Sequence, residues 1–304
     1  MSAIVREAPI LQPWFATPFY EKILRESSFS KIETEQIQQY ANHGYLVIDP
    51  EIDNIDEIAR VLRDDIPYPI HDGKPYNRVQ DHWRHNETVK KLACHPKVLE
   101  TLEFLYQRPA IPFQTLNFPV GTEQATHSDT IHFNSIPERW MCGVWIALED
   151  VDHDNGPLHY YPGSHKLPIF SMHDIGLSPQ DYTDLGQSYP IYERIVGEML
   201  EAGNFERKEV HLKKGQGLIW EANLYHGGSL IRDRRRTRLT QVTHYYFGGA
   251  AYYGPLQSDA PLGKMVWRQV ENITDGRPIQ HAYNGKPVTA PMFNGSPQML
   301  KIIE

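Results

Sequence analysis

The chain is poor in cysteine. Only Cys94 and Cys142 occur in 304 residues, and they form none of the paired spacings used for structural zinc or disulfide frameworks. Two reduced thiols are expected, with Cys142 buried in an apolar strand. Long hydrophobic runs are missing as well. No stretch approaches the roughly 18 apolar residues needed to span a bilayer, so no transmembrane helix and no membrane partner are expected. The first residues, Met-Ser-Ala-Ile-Val-Arg-Glu-Ala-Pro, lack the apolar core of a secretory leader, and a cytoplasmic location is the default expectation. Positive charge is also in deficit: 30 Lys and Arg against 38 Asp and Glu give a formal net charge of −8. An acidic balance argues against nucleic acid, because phosphate binding needs a basic surface. No heptad seam is present to indicate an oligomeric state.

With 40% hydrophobic and 22% charged residues, the composition is that of an ordinary globular protein. No internal repeat or low-complexity block divides it, so residues 1–304 read as one domain in three parts. Residues 1–108 look helical. Thr34 can cap a helix that runs to about Asn42, and Gly44 supplies the left-handed residue that ends it. Ile55, Ile58, Ala59 and Leu62 share one helical face. Val98, Leu99, Leu102 and Leu105 share another, with Pro96 at the helix start. Residues 109–250 change to short runs rich in apolar, β-branched and aromatic residues, at 113–118, 140–148, 158–161, 209–212, 218–220 and 239–247. Turn signals such as Asn155-Gly156, Pro162-Gly163 and Gly215-Gln-Gly217 separate them. This pattern predicts a mainly β jelly roll with flanking helices. Residues 171–207 interrupt it with polar sequence and a helical stretch near 192–200, an insertion suited to a lid. Residues 251–304 form an extension rich in Gly, Pro and Asn.

The sharpest chemical candidate is His127-Ser128-Asp129. In extended chain, residues two apart point the same way, so an imidazole and a carboxylate can converge on one point. A second histidine from a distant strand would complete a facial triad, an arrangement that suits iron(II) and leaves coordination positions free. Spacing alone decides nothing. Fifteen histidines and 38 acidic residues in 304 give about two His-x-Asp/Glu matches by chance. A second match, His85-Asn-Glu87, lies in a polar segment leading into a helix. There, residues two apart diverge by about 200° and cannot readily chelate one ion.

Beyond the motif, the run from Phe113 to Pro168 resembles the phytanoyl-CoA dioxygenase family of 2-oxoglutarate oxygenases. The stretches that carry the resemblance are Phe113-Gln-Thr-Leu-Asn-Phe-Pro119, His127-Ser-Asp129, Trp145-Ile-Ala-Leu-Glu-Asp-Val151 and Asn155-Gly-Pro-Leu-His-Tyr-Tyr-Pro-Gly-Ser-His165-Lys. The last is the most specific. Lys214-Gly-Gln-Gly and His226-Gly-Gly-Ser229 continue the likeness, which covers about residues 40–250. It implies a double-stranded β-helix of cupin-like type, with His127, Asp129 and His226 as iron ligands. It also implies an arginine after the distal histidine that holds the far carboxylate of 2-oxoglutarate. Arg238 is chosen because it opens an alternating strand with Thr240, whose hydroxyl could help bind the same carboxylate. Arg236 remains a rival by its distance from His226. Trp145 and, more weakly, Gln114 match positions that line the co-substrate pocket.

The reaction implied is an Fe(II)- and 2-oxoglutarate-dependent hydroxylation of a small molecule, with release of succinate and carbon dioxide. Asp129 stands where halogenating relatives carry a small residue, which favours hydroxylation. Two other classes stay open: a non-catalytic metal-binding jelly roll, and a cupin-like enzyme with a non-redox metal. His132 could contact substrate or be an exposed loop residue. His159 and His165 read as structural, and His244 as either packed or pocket-lining. The run Arg232-Asp-Arg-Arg-Arg-Thr-Arg238 is either a solvated loop or an attractor for an anionic substrate. Substrate is expected to enter between the insertion and the loop around His132.

Overall fold

Ser30 and Glu33 start the first long helix by a reciprocal pair of hydrogen bonds. In the computed structural model of the chain, which describes residues 12–68, 70–71, 74–75, 78–177, 185–291 and 300–302, the Ser30 hydroxyl accepts from the Glu33 amide at 3.3 Å. The Glu33 carboxylate accepts from the Ser30 amide at 2.7 Å. This capping box sets the start four residues ahead of the expected Thr34, because Ser30 satisfies its orphan amide with a partner that answers in kind. Gly44 ends the helix at φ 81°, as expected. The helices are α1 (Tyr20–Glu26), α2 (Lys31–His43), α3 (Ile55–Asp64), α4 (Glu87–Ala93), α5 (Pro96–Tyr106) and α6 (Leu185–Ala202). Ala59 and Leu62 of α3, and Val98, Leu102 and Leu105 of α5, are buried in one apolar core. Pro96 opens α5, where its missing N–H costs nothing.

The strands are β1 (Tyr45–Ile48), β2 (Ile70–His71), β3 (Lys74–Pro75), β4 (Val79–Gln80), β5 (Ala110–Phe118), β6 (Asn134–Ile136), β7 (Met141–Ala147), β8 (Leu158–Tyr160), β9 (Lys208–Glu209), β10 (Gly217–Glu221), β11 (His226–Gly228), β12 (Thr240–Phe247) and β13 (Ala251–Tyr253). Three more, β14 (Ala282–Tyr283), β15 (Lys286–Thr289) and β16 (Lys301–Ile302), lie near the C-terminus. The main sheet is antiparallel in the order β1-β10-β7-β12-β5-β4, and a smaller sheet has the order β11-β8-β9. A bridge between His127 and His226 extends the smaller sheet. The two sheets face each other as a double-stranded β-helix. The stretch expected at 209–212 is only partly strand: β9 is two residues long, and Leu212 pairs singly with Val151.

Both faces of the main sheet are covered, which explains why its strands read as nearly unbroken apolar runs. Along β7, Cys142, Val144 and Ile146 join the core shared with the helices, while Trp145 and Ala147 face the interior of the sandwich. Strand β10 divides in the same way, with Ile219 toward the helices and Leu218 and Trp220 inward. The inserted segment packs by Met172, Tyr192, Val196 and Leu200 against Ile131 and Tyr225. Residues 178–184 of the expected insertion lie outside the described residues. No helix among the described residues is long and apolar enough to cross a membrane.

Candidate metal centre

His127 and His226 are placed by backbone pairing. Each donates its main-chain amide to the other's carbonyl at 2.9 Å, so the two imidazoles leave neighbouring chains side by side, with ring centroids 4.7 Å apart. Their tautomers follow from their partners. His127 Nδ1 lies 2.9 Å from the carbonyl of Ala125, and His226 Nδ1 lies 2.9 Å from that of Leu224. A carbonyl cannot donate, so both Nδ1 atoms carry the proton and both Nε2 atoms keep a lone pair. The Gln124 amide nitrogen, 3.3 Å from His127 Nε2, occupies that lone pair. Burial and the neighbouring His226 push the His127 imidazolium down to about 3, so the ring is neutral near pH 7. These are the tautomers that metal-binding histidines adopt.

Asp129 opens a short helical turn after the His127 strand. Its two oxygens have separate surroundings. Oδ1 faces the histidines, 3.9 Å from His127 Nε2 and 4.0 Å from His226 Nε2. Oδ2 accepts from the Trp220 indole at 2.7 Å and lies 3.6 Å from His244 Nε2. Burial alone would raise the Asp129 carboxyl, but the imidazoles of His226, His244 and His127 outweigh it and hold the group below the usual carboxylate range. One imidazole-nitrogen pair and one carboxylate oxygen, all within 4.8 Å of one another, form a donor set that fits a divalent transition metal. The indole and the two carbonyls hold the far sides of the ligands.

Trp220 reaches Asp129 because nothing stands in its way. Gly143 is the cross-strand partner of Trp220 on one side and of His244 on the other. A Cβ at Gly143 would lie 2.2 Å from the Trp220 ring, inside any permissible contact.

A cavity of about 400 Å³ opens from this cluster. Of the residues expected around a co-substrate, Arg238, Trp145 and Gln114 line it. Arg238 is 4% exposed and donates Nη1 to the Gly156 carbonyl at 2.8 Å. Its Nε is buried without a partner. Its guanidinium lies over Trp145, 5.2 Å from the ring centroid, and burial pushes its pKa down to about 10. The Thr240 hydroxyl, on the same face of the strand, is buried and also unpaired. The rival Arg236 points elsewhere. Its side chain is 35% exposed and holds Asp152 at 2.8 Å. The rest of the arginine run is a solvated loop, with Arg234 on Glu123 and Arg235 on Asp233.

His85 and Glu87 are brought into no donor cluster. Asn86 caps α4 between them, so His85 precedes the helix instead of lying on it. His165 is structural: its Nε2 meets the Ala41 carbonyl at 3.1 Å. His244 lines the cavity and is fixed by Gln114 at 3.0 Å. His132 also lines it, and its Nε2 lies 3.0 Å from the Tyr189 hydroxyl of α6. The insertion and the His132 loop therefore touch at the place expected to be a gap between them. Sequence reasoning missed Trp220, Tyr189, Arg78 and Arg268 as lining residues. Nothing local distinguishes Trp220 from other aromatic core residues of a strand, and the other three reach the cavity only through tertiary folding.

Comparison with known proteins agrees with this geometry. The profile of the family described as Phytanoyl-CoA dioxygenase (PhyH) matches residues 34–236. The peroxisomal phytanoyl-CoA dioxygenase of Rattus norvegicus is 24% identical over 279 residues, which cover 81% of this chain and 77% of that protein. Among solved structures, the epimerase SnoN, in complex with Fe3+, alpha ketoglutarate and nogalamycin RO, is 21% identical. It has a TM-score of 0.54 and covers 82% of this chain and 95% of its own. EctD from S. alaskensis, with 2-oxoglutarate and 5-hydroxyectoine, is 16% identical with a TM-score of 0.53, covering 79% and 82%. The two structures share the fold. The match of the family profile over two-thirds of the sequence, spanning His127, Asp129 and His226, means that the chain belongs to the phytanoyl-CoA dioxygenase family.

Proposed function

We propose that the protein is an Fe(II)- and 2-oxoglutarate-dependent oxygenase that hydroxylates a small-molecule substrate and releases succinate and carbon dioxide. The observation that carries this reading is the pairing of two features in one cavity. One is a His127–Asp129–His226 donor set with both Nε2 atoms unprotonated. The other is a buried guanidinium, Arg238, without a carboxylate partner among the described residues. A buried cation is costly unless an anion meets it, and the planar fork of arginine suits a carboxylate.

In this reading His127, Asp129 and His226 hold iron through Nε2, Oδ1 and Nε2. Arg238, helped by Thr240, binds the far carboxylate of 2-oxoglutarate. Trp145 and Phe118, under the guanidinium, wall the co-substrate off from water. When bound, iron with 2-oxoglutarate and oxygen supplies the oxidising power for attack on a carbon–hydrogen bond. Trp220 and His244 fix Asp129 so that one oxygen faces the metal and the other cannot rotate toward it. His132 and Tyr189 close the outer wall, where water exclusion protects the reaction. The whole chain acts as one oxygenase unit, with the insertion contributing this wall.

The test is anaerobic addition of iron(II) and 2-oxoglutarate, followed by the weak visible charge-transfer band of their chelate. The band is expected in the unmodified protein, absent in Asp129→Ala and weakened in Arg238→Ala. Iron binding without any band would favour a metal-binding jelly roll or a non-redox enzyme.

A further inference from the structure

The cavity holds more positive charge than the proposed cofactors match. Three arginines line it, Arg78, Arg238 and Arg268, against the single carboxylate of Asp129. With iron and 2-oxoglutarate in place, the dianion and Asp129 offset the two charges of the metal and one guanidinium. Two guanidinium charges are left in a protein whose overall balance is acidic.

Arg268 lies away from Arg238, whereas Arg78, next to Val79 opposite Asn117, stands level with Phe118 and Thr240. Arg238 and His244 are six residues apart on one extended stretch, which places their Cα atoms about 20 Å apart. Arg268 belongs to the His244 end. Its guanidinium lies over Phe133, 4.8 Å from the ring centroid, and Phe133 packs on His244 at 5.0 Å. Its Nε is buried without a close hydrogen-bond partner, and the adjacent Tyr246 hydroxyl interacts with the guanidinium. No acidic side chain among the described residues forms an ion pair with Arg268, Arg78 or Arg238. Arg78 leads into β4, on the same face as Gln80, and both line the cavity. Arg78, Arg268 and His132 all line this one cavity. Gln257 completes the polar lining.

We propose that Arg268 anchors an oxyanion subsite at the His244 end of the cavity, with Arg78 a further cation of the same lining, and that the primary substrate carries a carboxylate, sulfate or phosphate group that binds there. The inference rests on the oxygenase reading. It moves the attraction for an anion from the exposed arginine loop, whose members hold surface carboxylates, to the cavity itself. An anchored anionic end would leave the opposite end of the substrate facing Asp129 and His226.

Calorimetric titration with inorganic phosphate, sulfate and acetate tests it, using the full chain loaded anaerobically with iron(II) and saturated with 2-oxoglutarate so that Arg238 is occupied. Saturable binding of at least one anion is expected, weakened about tenfold in Arg268→Ala, the scale set by losing a charge-assisted hydrogen bond. Arg268→Lys keeps a charge and much of the packing on Phe133 and should lose less. The relative strength of phosphate and acetate distinguishes a phosphate-like from a carboxylate-like substrate end. The charge-transfer band, recorded on every sample, separates the two ideas. A missing band in the unmodified protein overturns the oxygenase reading. A normal band with no saturable anion binding, or with binding unchanged in both Arg268 variants, overturns the subsite and leaves Arg268 as packing on Phe133.

Discussion

The Trp220 indole donates to Asp129 Oδ2 at 2.7 Å, and this one bond assigns the two carboxylate oxygens to different tasks. Partners of this kind are worth about 10–100-fold in metal affinity. Trp220→Phe keeps most of the ring volume and deletes the donor, so iron(II) affinity should fall by about that factor. An anaerobic metal titration gives the answer. Equal affinity in the two proteins would mean that His244 alone suffices to hold the carboxylate.

Arg238 and Arg236 should separate cleanly. Arg238→Ala removes the buried guanidinium and should raise the 2-oxoglutarate concentration needed for half-maximal chelate formation by about tenfold or more. Arg236→Ala breaks a half-exposed pair with Asp152 and should leave that requirement unchanged, at a stability cost below about 1 kcal/mol. A reversed result would transfer the co-substrate role to Arg236.

The Tyr192 hydroxyl accepts from the Ser128 amide at 3.2 Å, and Ser128 lies between two of the proposed ligands. Tyr192→Phe strands a buried amide, at a cost of about 1–3 kcal/mol. Urea denaturation of the metal-free protein measures it. A loss well under that range would show that the amide finds another acceptor.

Acid should destabilise the fold through its buried neutral histidines. Burial lowers His165 to about 3 and His159 to about 4 in the folded state, below the roughly 6.5 of an unfolded chain. The unfolded state therefore binds protons first. The stability contribution is fully present above about pH 6.5 and is lost as pH falls toward 4 and 3. Denaturation midpoints of the metal-free protein between pH 7 and 4 should fall, and His165→Gln should flatten the slope. A parallel slope in that variant would remove His165 from the account.

Much of the site was legible because its signals are local. His127-Ser128-Asp129 stood out from chance matches only beside the family-like stretches around it, and Arg238 was preferred to Arg236 by its place at the mouth of an alternating strand. The strand runs were legible too, although their unbroken apolar character gave no clue to which face held the cavity. Trp220 was hidden for that reason, since an aromatic residue in a strand ordinarily packs in a core. Arg268 follows a turn-rich stretch whose path back over Phe133 is set by tertiary packing. The helix start at Ser30 was readable in principle, since Ser30 and Glu33 have the spacing of a capping box. The single-residue signal of Thr34 obscured it.

Gly143 gives the centre a vulnerability that no inventory of reactive groups would include. It has no side chain and so supplies no reactive group, yet a methyl group there would displace the indole opposite and free the carboxylate that the indole restrains. Vacant space is thus a component of the apparatus. Losing it would disarm the centre while every chemical group remained in the sequence.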